Sequence, residues 1–349
     1  MGRAVRARRA RGAGHALSPR RRERGQPALF ALPPPTVEPA PFAPELEAMA
    51  AHLPAALRLG TMSWSYPGWR GIVYAAEAAS KTLAPHGLTA YARHPLFRTV
   101  EIDRTYYEPL PADDMAAYAA QVPDDFRFVV KAQDACVFSR FPTHARYGAR
   151  AGEANGLFLD PGYAADAVIA PIIEGLGAKL GVILFQFPPQ DVGDGGSFAA
   201  RLGAFLARLP KGPTYAVELR NRALVSPAYG DALAGAGAVH VHSVWSSMPA
   251  LADQARRLPP ETRRPLFVRW LFPRGDTHEE AGARYEPFSR LVDEDVDSRA
   301  AVAALAVRAL AHDVPAFVTV DNKAEGCSPE SIVRLAREIA ARREASTSL

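Results

Sequence analysis

Cysteine is scarce in this sequence, which has Cys136 and Cys327 in a chain of 349 residues. Two cysteines this far apart provide neither a disulfide framework nor a metal-type spacing, and they are typical of a protein in the reducing cytosol. Uninterrupted apolar runs are also short, since none approaches the roughly 18 residues that span a bilayer. These absences predict a cytoplasmic protein without a membrane segment.

Two motifs of cofactor and metal enzymes are missing as well. No G-x-G-x-x-G follows the first predicted strand, although that motif would be expected in a dinucleotide-binding sheet. No HExxH stretch occurs, so the usual helical zinc motif is absent. We therefore expect neither an organic cofactor nor a metal.

Positive charge is confined to the start of the chain. Residues 1–24 hold nine arginines and one acid, a net charge of +8, whereas the whole chain is +4, which leaves residues 25–349 at −4. A nucleic-acid enzyme should carry its positive charge on the folded domain, so nucleic acid is not an expected partner. The basic stretch and the proline-rich segment after it predict a disordered arm over residues 1–48. A transit peptide, or a start at Met49, is the alternative.

Strand-like and helix-like segments alternate eight times from Leu57 onward. Runs rich in Val, Ile and Phe are followed by stretches with helical spacing, two of which begin at Asp160-Pro161 and Ser328-Pro329. This pattern predicts a (β/α)8 TIM barrel over residues 57–343, with a doubly wound open sheet as the alternative. The predicted strands are 57–63, 97–103, 126–132, 180–187, 214–220, 238–243, 265–271 and 315–321.

Aromatic residues are concentrated where the first strand ends. The stretch SWSYPGWRG, residues 63–71, places Trp64, Tyr66 and Trp69 in the first loop. Active sites of such barrels lie at the carboxyl ends of the strands, and Trp245 and Trp270 fall at the ends of the sixth and seventh strands. The four tryptophans are thus predicted to gather at this rim, either to stack on a planar ligand or to cap the core.

Charged residues occur near the ends of strands that should be buried on both sides. A charge there is tolerated if it points into the barrel mouth, and strand alternation then selects the residues that share that face. The inward set is Glu101, Asp103, Lys131, Gln186, Glu218, Arg220, Arg269 and Asp321. Glu101 and Glu218 are the candidate general acid and base, and Lys131 is a candidate anion anchor or nucleophile. An internal ion-pair network is the alternative.

Three weaker signals remain. His240 and His242 share one face of strand six and could bind a divalent metal with Glu218 or Asp321, although core histidines are the commoner outcome. The stretch GCSPES, residues 326–331, begins a helix after strand eight, where either an anion site or an ordinary cap is expected. The long connection over residues 133–159 is a candidate lid.

Seven motifs in order resemble the YecE-like family (domain of unknown function seventy-two) over residues 57 to about 340. They are GTMSWSYPGWRG, TVEIDRTYYEPLP, FRFVVKA, LGVILFQFPP, YAVELRN, FVRW and VDNKAEGCSP. The resemblance implies a TIM barrel but no reaction. It also implies recurring residues at Trp64, Tyr66, Trp69, Glu101, Tyr106, Lys131, Gln186, Glu218, Arg220 and Asn322.

This chain departs from the family pattern in four places. Ser63 replaces a glycine, Asp103 replaces an asparagine, and Asp321 takes the first place of an Asn-Asn pair. Residues 136–141 stand where many relatives carry Thr-His, so no role of that histidine is carried over.

The function predicted from the sequence is an enzyme acting on a small polar substrate, anionic or sugar-like, by acid–base hydrolysis or elimination. Catalysis is assigned to Glu101, Lys131 and Glu218. Substrate binding is assigned to Trp64, Tyr66, Trp69, Asp103, Tyr106, Gln186, Arg220, Arg269, Asp321 and Asn322. A metal-dependent hydrolase built on His242, Glu218 and Asp321 is one alternative, and a non-catalytic ligand-binding barrel is the other. The oligomeric state is left open.

Overall fold

The computed structural model describes residues 36–272 and 278–347. The described strands are β1 Leu57–Thr61, β2 Phe97–Ile102, β3 Arg127–Lys131, β4 Leu180–Phe187, β5 Thr214–Leu219, β6 Val239–Val244, β7 Leu266–Trp270 and β8 Ala316–Val320. They are parallel and close into a barrel in chain order, with β8 pairing back to β1. The predicted (β/α)8 fold is confirmed, and the open doubly wound alternative is wrong because β1 to β8 close on themselves and none of these eight strands is an edge.

Helices surround the barrel and connect its strands. They are α1 Pro44–His52, α2 Ser80–His86, α3 Leu88–Tyr91, α4 Ala112–Ala119, α5 Pro161–Tyr163, α6 Ala170–Leu176, α7 Gly195–Ala207, α8 Pro227–Ala236, α9 Leu251–Arg257, α10 His278–Tyr285, α11 Val296–Leu310 and α12 Ser328–Thr347. A π-helical turn over Ala164–Ile169 joins α5 to α6. The predicted start at Asp160-Pro161 is confirmed, because the Asp160 carboxylate accepts the Tyr163 N–H at 2.9 Å.

Strand alternation divides the barrel into an inner and an outer face. The inner face holds a buried apolar cluster of Val129, Val182, Leu184, Ala216, Val239, Val241, Phe267 and Phe317. The residues two positions further along the same strands include Lys131, Gln186, Glu218 and Arg269. The barrel interior is therefore apolar at depth and charged towards the carboxyl ends of its strands.

The disordered arm was predicted to extend to residue 48, which is too far along the chain. Residues 36–48 are part of the fold, since the Ala40 N–H donates to the Val73 carbonyl at 2.9 Å and Ala40 is 3% exposed. Helix α1 follows directly, and the proposed alternative start, Met49, lies inside it and packs on the core. The missed signal is helical spacing at positions 46, 49, 50 and 53. Residues 1–35 lie outside the described part of the chain.

The described residues contain no helix that is both long enough and apolar enough to cross a bilayer. Cys136 and Cys327 are free thiols, as predicted, and both are buried. Burial raises the pKa of each thiol to about 12. Neither is therefore a reactive thiolate at neutral pH.

Candidate functional site

Arg269 on β7 joins two carboxylates at the upper end of the barrel interior. Its guanidinium donates to both oxygens of Glu101, at 2.9 Å from Nε and 2.8 Å from Nη2, and Nη1 donates to Glu218 Oε2. The Thr319 hydroxyl donates to Glu101 Oε1, and Gln186 Oε1 accepts from Arg269 Nη1 at 3.3 Å. We call Glu101, Gln186, Glu218, Arg269 and Thr319 the inner ion cluster.

The inner ion cluster is sealed from solvent, and its two acids respond differently to burial. Glu101 and Arg269 are each 1% exposed and Glu218 is fully buried. Burial raises the pKa of Glu101, and Arg269 opposes that rise. Burial acts on Glu218 in the same sense, but the charges of Arg269 and Arg220 lower its pKa to about 2. Glu218 is accordingly ionised at neutral pH.

Arg220, at the end of β5, connects the inner ion cluster to the barrel mouth. Its Nε donates to Glu218 Oε1 at 3.0 Å and its Nη2 donates to Gln186 Oε1 at 3.1 Å. The guanidinium carbon lies 3.5 Å from the ring centroid of Trp245, an arrangement that restrains the arginine by cation–π stacking. Its Nη1 makes no hydrogen bond within the described residues, so that group remains available to a ligand.

Lys131, the last residue of β3, has looser contacts. Its Nζ lies 4.4 Å from the ring centroid of Tyr106 and 3.6 Å from Asp103 Oδ1, and it forms no hydrogen bond within the described ranges. The Lys131 side chain is 12% exposed and that of Asp103 is 42% exposed. Burial lowers the pKa of Lys131, with Arg269 and Arg220 acting in the same direction and Asp103 against it. We call Asp103, Tyr106, Lys131, Arg220 and Trp245 the mouth layer.

The aromatic motif of the first loop is anchored by Asn322 next to the mouth layer, where Asp103 is close enough to act on Tyr66. The amide oxygen of Asn322 accepts the indole N–H of Trp69 at 3.2 Å, and Tyr66 packs against Trp69 with ring centroids 4.9 Å apart. Gly68 is required between them, because a Cβ there would lie 1.8 Å from the Pro287 carbonyl oxygen. Tyr66 is thus the member of the motif that borders the mouth, where burial and the charges of Asp321 and Asp103 raise its pKa. Trp69 supports it from the core.

The same asparagine caps helix α12. Its amide oxygen accepts the Ser328 N–H and hydroxyl, both at 2.9 Å, so this N–H is taken by a side chain. The ordinary cap is therefore the structure found at GCSPES, and the anion interpretation lacks that donor. Asp321 also serves a turn, since its carboxylate accepts the Lys323 N–H at 2.8 Å.

Two of the four tryptophans lie away from the mouth. Trp64 is 7% exposed, and its indole N–H donates to the carbonyls of Leu83 and Ala84 at 3.2 and 3.1 Å, near the end of α2. Trp270 is fully buried in the core outside the barrel. The predicted gathering of all four at the rim is wrong. Trp64 packs between the loop after β1 and the surrounding helices, because its side chain points away from the barrel at this turn.

The histidines of β6 face away from the barrel interior. His242 Nε2 lies 3.1 Å from the Leu258 carbonyl, and His240 Nδ1 lies 3.1 Å from the Tyr229 hydroxyl on α8. Val239 and Val241 occupy the inner face instead. The alternative metal site of His242, Glu218 and Asp321 is therefore not assembled. Within residues 36–272 and 278–347, no three metal-type side chains cluster at all.

Some residues beside the site were not predicted. Thr319 lies on the inner face of β8, where alternation from Asp321 would have placed it. Arg146, in the candidate lid, lies 6.0 Å from the Tyr106 ring centroid and 4.7 Å from that of Tyr107. It also pairs with Asp134 at 2.7 Å. The loop over 133–159 thus borders the mouth, and no local sequence signal marks this long-range contact.

Most of the predicted site residues are brought together. Those in the inner ion cluster or the mouth layer are Glu101, Asp103, Tyr106, Lys131, Gln186, Glu218, Arg220 and Arg269. Tyr66 lies beside them, with the buried Trp69 and Asn322 packed behind it. Trp64 lies outside this constellation. Asp321, whose Oδ1 accepts the Lys323 N–H, lies close enough to Tyr66 for its charge to add to burial in raising the pKa of that tyrosine.

Comparison with known proteins agrees with this architecture. A DUF72 family protein from Enterococcus faecalis V583 aligns with a TM-score of 0.55 and 17% identity, over 82% of this chain and 95% of that one. A DUF72 family protein from Thermotoga maritima MSB8 aligns with a TM-score of 0.53 and 19% identity, over 82% and 99%. No curated protein matches the chain. The family described as protein of unknown function DUF72 matches residues 58–348, and the chain belongs to that family.

Proposed function

We propose that the mouth layer is the active site of a cytoplasmic enzyme that acts on a small polar substrate bearing an anionic group, by acid–base hydrolysis or elimination. The proposal rests on one observation, the unusual environment of the Lys131 amine. It is largely buried beside Tyr106, lies 3.6 Å from Asp103, and is not held by a hydrogen bond in the described structure. A lysine kept only for stability would be expected to be better paired.

Lys131 has the properties of a general base. Its lowered pKa increases the fraction of neutral amine at neutral pH. A neutral amine can take a proton from a carbon next to an electron-withdrawing group, or from a water molecule that attacks the substrate. Asp103, which is half-exposed, is placed to exchange protons with Lys131 and solvent. Together they supply the proton transfers that elimination or hydrolysis requires.

Arg220 is the proposed anchor for the anionic group. Two of its nitrogens are engaged by Glu218 and Gln186, and its face rests on Trp245. These contacts hold the guanidinium in one orientation, so less entropy is lost when Nη1 binds an oxyanion. The rings of Tyr106 and Trp245 provide apolar surface for the rest of a small ligand.

This assignment changes the roles given to Glu101 and Glu218 by the sequence. Both carboxylates are buried behind Arg269, and their oxygens are occupied by guanidinium and hydroxyl donors. We assign them to positioning Arg269 and Arg220, and proton transfer to Lys131 and Asp103. A positioning role predicts that Glu218→Gln shifts the pH dependence of activity through Lys131 rather than abolishing it.

Turnover of metabolite mixtures tests the proposal. The protein is incubated with a small-molecule cell extract without added cofactor, and depletion and formation of compounds are followed by mass spectrometry. Lys131→Met and Asp103→Asn should abolish any conversion, and the exposed Lys211→Met is the matched control. Conversion that persists in Lys131→Met would contradict the assignment.

The same experiment separates the two alternatives. A compound that is retained by the protein but never converted would indicate a ligand-binding barrel without catalysis. Conversion that is lost after dialysis against a chelator and restored by zinc or manganese would indicate a metal-dependent hydrolase. Conversion that survives the chelator and requires Lys131 supports the proposed acid–base enzyme.

A further inference from the structure

A cavity lies on the outer side of the barrel wall, across β6 from the inner ion cluster. It has a volume of about 200 Å³ and lies between α8 and the segment that leads from α9 into β7. Apolar side chains form its walls, among them Leu233, Leu258, Pro260 and Leu266. His240 and His242 also line it, and both are at least nine-tenths buried. The cavity is thus apolar with two imidazoles.

Hydrogen bonds determine the tautomer of each imidazole. His242 Nε2 lies 3.1 Å from the Leu258 carbonyl, which can only accept, so Nε2 carries the proton. The Tyr229 hydroxyl donates its one proton to the Val217 carbonyl at 3.2 Å. The 3.1 Å contact between that hydroxyl and His240 Nδ1 therefore requires Nδ1 to be the donor. The two rings are opposite tautomers.

Each ring is left with one acceptor nitrogen. His240 Nε2 and His242 Nδ1 are both buried and have no hydrogen-bond partner among the described residues. The Gln254 side chain lies near His240 and opposes the lowering of its pKa by burial. The amide nitrogen of Gln254, however, already donates to the Ser243 and Pro249 carbonyls. Burial lowers the pKa of His240 well below its usual value and that of His242 to about 4, so both rings are neutral at neutral pH. Two buried lone pairs without donors are costly. They would be satisfied by a ligand that supplies N–H or O–H groups.

The charge at the rim and the volume of the cavity further limit the kind of ligand that fits. The charged residues at the rim, Glu261 and Arg264, pair with each other at 2.9 Å, and Arg264 also donates to the Ala234 carbonyl at 3.0 Å. The two charges offset each other, so the rim has no net charge to favour a charged ligand. An apolar cavity of about 150 Å³ holds a benzene molecule, so this one can hold a ring with a small substituent.

We propose that this cavity is a binding site for a small, neutral, largely apolar molecule that carries a hydroxyl or N–H donor, such as a phenol. The donor reaches an acceptor nitrogen of His240 or His242, and the ring packs against the apolar walls. The site is separate from the mouth layer, because β6 lies between them and its inner face is formed by Val239 and Val241.

Phenol and anisole form a matched pair of probes for the full-length protein. They share a ring and similar volume, but anisole lacks the donor. We expect phenol to bind at least about tenfold more tightly, the effect of one hydrogen bond to an otherwise unsatisfied acceptor. Titration calorimetry or ligand-observed NMR measures both affinities. Equal affinities, or no binding of either compound, would overturn the proposal.

Two glycines of α8 test the location. A side chain at Gly230 points at the cavity, since its Cβ would lie 2.7 Å from Leu258 Cδ2, whereas nothing lies within 4 Å of a Cβ at Gly235. Gly230→Leu should fill the space and lose phenol binding, and Gly235→Leu should bind like the wild type. Phenol binding that survives Gly230→Leu would place the ligand elsewhere.

The roles of the two histidines can be tested in the wild-type protein, so the result does not depend on whether a variant folds. In the wild type, ¹⁵N chemical shifts of the imidazole nitrogens should identify His240 as the Nδ1–H tautomer and His242 as the Nε2–H tautomer. On addition of phenol, the signal of one acceptor nitrogen should move towards the hydrogen-bonded range, whereas anisole should leave both unchanged. Equal tautomers, or equal responses to the two probes, would contradict the inference.

Discussion

The inner ion cluster and the mouth layer use the same kinds of side chain at the same end of one barrel, but their contacts differ. In the inner ion cluster, Arg269 contacts Glu101 and Glu218 at hydrogen-bond distance, and all three are buried. In the mouth layer, Lys131 Nζ and Asp103 Oδ1 are 3.6 Å apart and the Asp103 side chain is 42% exposed. The inner ion cluster, which is structural, and the mouth layer, which is the proposed active site, are thus distinguished by how closely their charges are paired and not by residue type.

Desolvation explains why the two layers should respond differently to mutation. Removing one member of a buried ion pair leaves its partner charged and unpaired in a low-dielectric interior. Removing a loosely paired and desolvated amine instead relieves a cost. The two layers should therefore differ in unfolding experiments before any substrate is identified.

The largest effect is expected for Arg269→Met. Glu101 and Glu218 would both lose their shared partner, and we expect a loss of about 3–5 kcal/mol in the free energy of unfolding. Arg104→Met is the control, because its side chain is 57% exposed and its pairs with Glu108 and Asp114 lie at 3.6 and 3.8 Å. It should change stability by less than about 0.5 kcal/mol. Similar urea unfolding curves for the two variants would break the comparison.

A pH series sharpens the same point for Glu218. Its pKa in the folded protein is about 2, below the ordinary value of 4.5, so its charge stabilises the fold above pH 4.5 and this contribution is lost as the pH falls towards 2. The difference in unfolding free energy between wild type and Glu218→Gln should be greatest at neutral pH and shrink through this window. A difference independent of pH would mean that Glu218 stabilises the barrel by packing alone.

Lys131→Met should have a small effect on stability. Because the amine is desolvated and its one ion pair is long, we expect a change below about 1 kcal/mol, of either sign. The thermal unfolding midpoint should therefore stay close to that of Lys211→Met. A loss comparable to that of Arg269→Met would place Lys131 in the structural network and remove the basis for a catalytic lysine.

The smallest expected effect is on the quenching of tryptophan fluorescence, which should distinguish Trp245 from the other three tryptophans. Trp245 is partly exposed beside Arg220, whereas Trp64, Trp69 and Trp270 are buried. Iodide, an anion, should be drawn to Arg220 and quench Trp245 preferentially. Trp245→Phe should thus remove most of the iodide-sensitive emission, and Trp64→Phe should leave it unchanged. Equal losses would mean that the mouth offers no preferred approach to an anion.

Strand alternation predicted the inward residues where a charge marked the face. On β5, Glu218 and Arg220 identify the inner face, because a charge on the outer face would be buried against helices. On β6 no such marker exists, since histidine and valine are both compatible with a buried outer face. The outward direction of His240 and His242 could therefore not be predicted, and the metal alternative depended on the wrong face.

Strand alternation could not predict the distances between side chains or their bonding partners. Glu101 and Glu218, as general acid and base, and Lys131, as anion anchor or nucleophile, were all assigned to one catalytic centre, because alternation gives a face but no depth. The structure places two of them behind Arg269 and the third, Lys131, in the mouth layer with 12% of its side chain exposed. The first loop was likewise predicted as one aromatic surface, whereas the turn at Gly68 sends Trp64 and Trp69 to different environments.

Sequence alone determined the barrel, the order of its strands and the set of polar residues at its mouth, because periodicity and the cost of burying charge are local properties of the chain. Tertiary structure decided which charges are paired, which tryptophans meet the mouth, and that residues 36–48 join the fold. It also brought the two histidines to one cavity. These outcomes depend on contacts between residues far apart in the chain, such as Arg269 with Glu101 and Asn322 with Trp69, and on the depth at which each side chain ends.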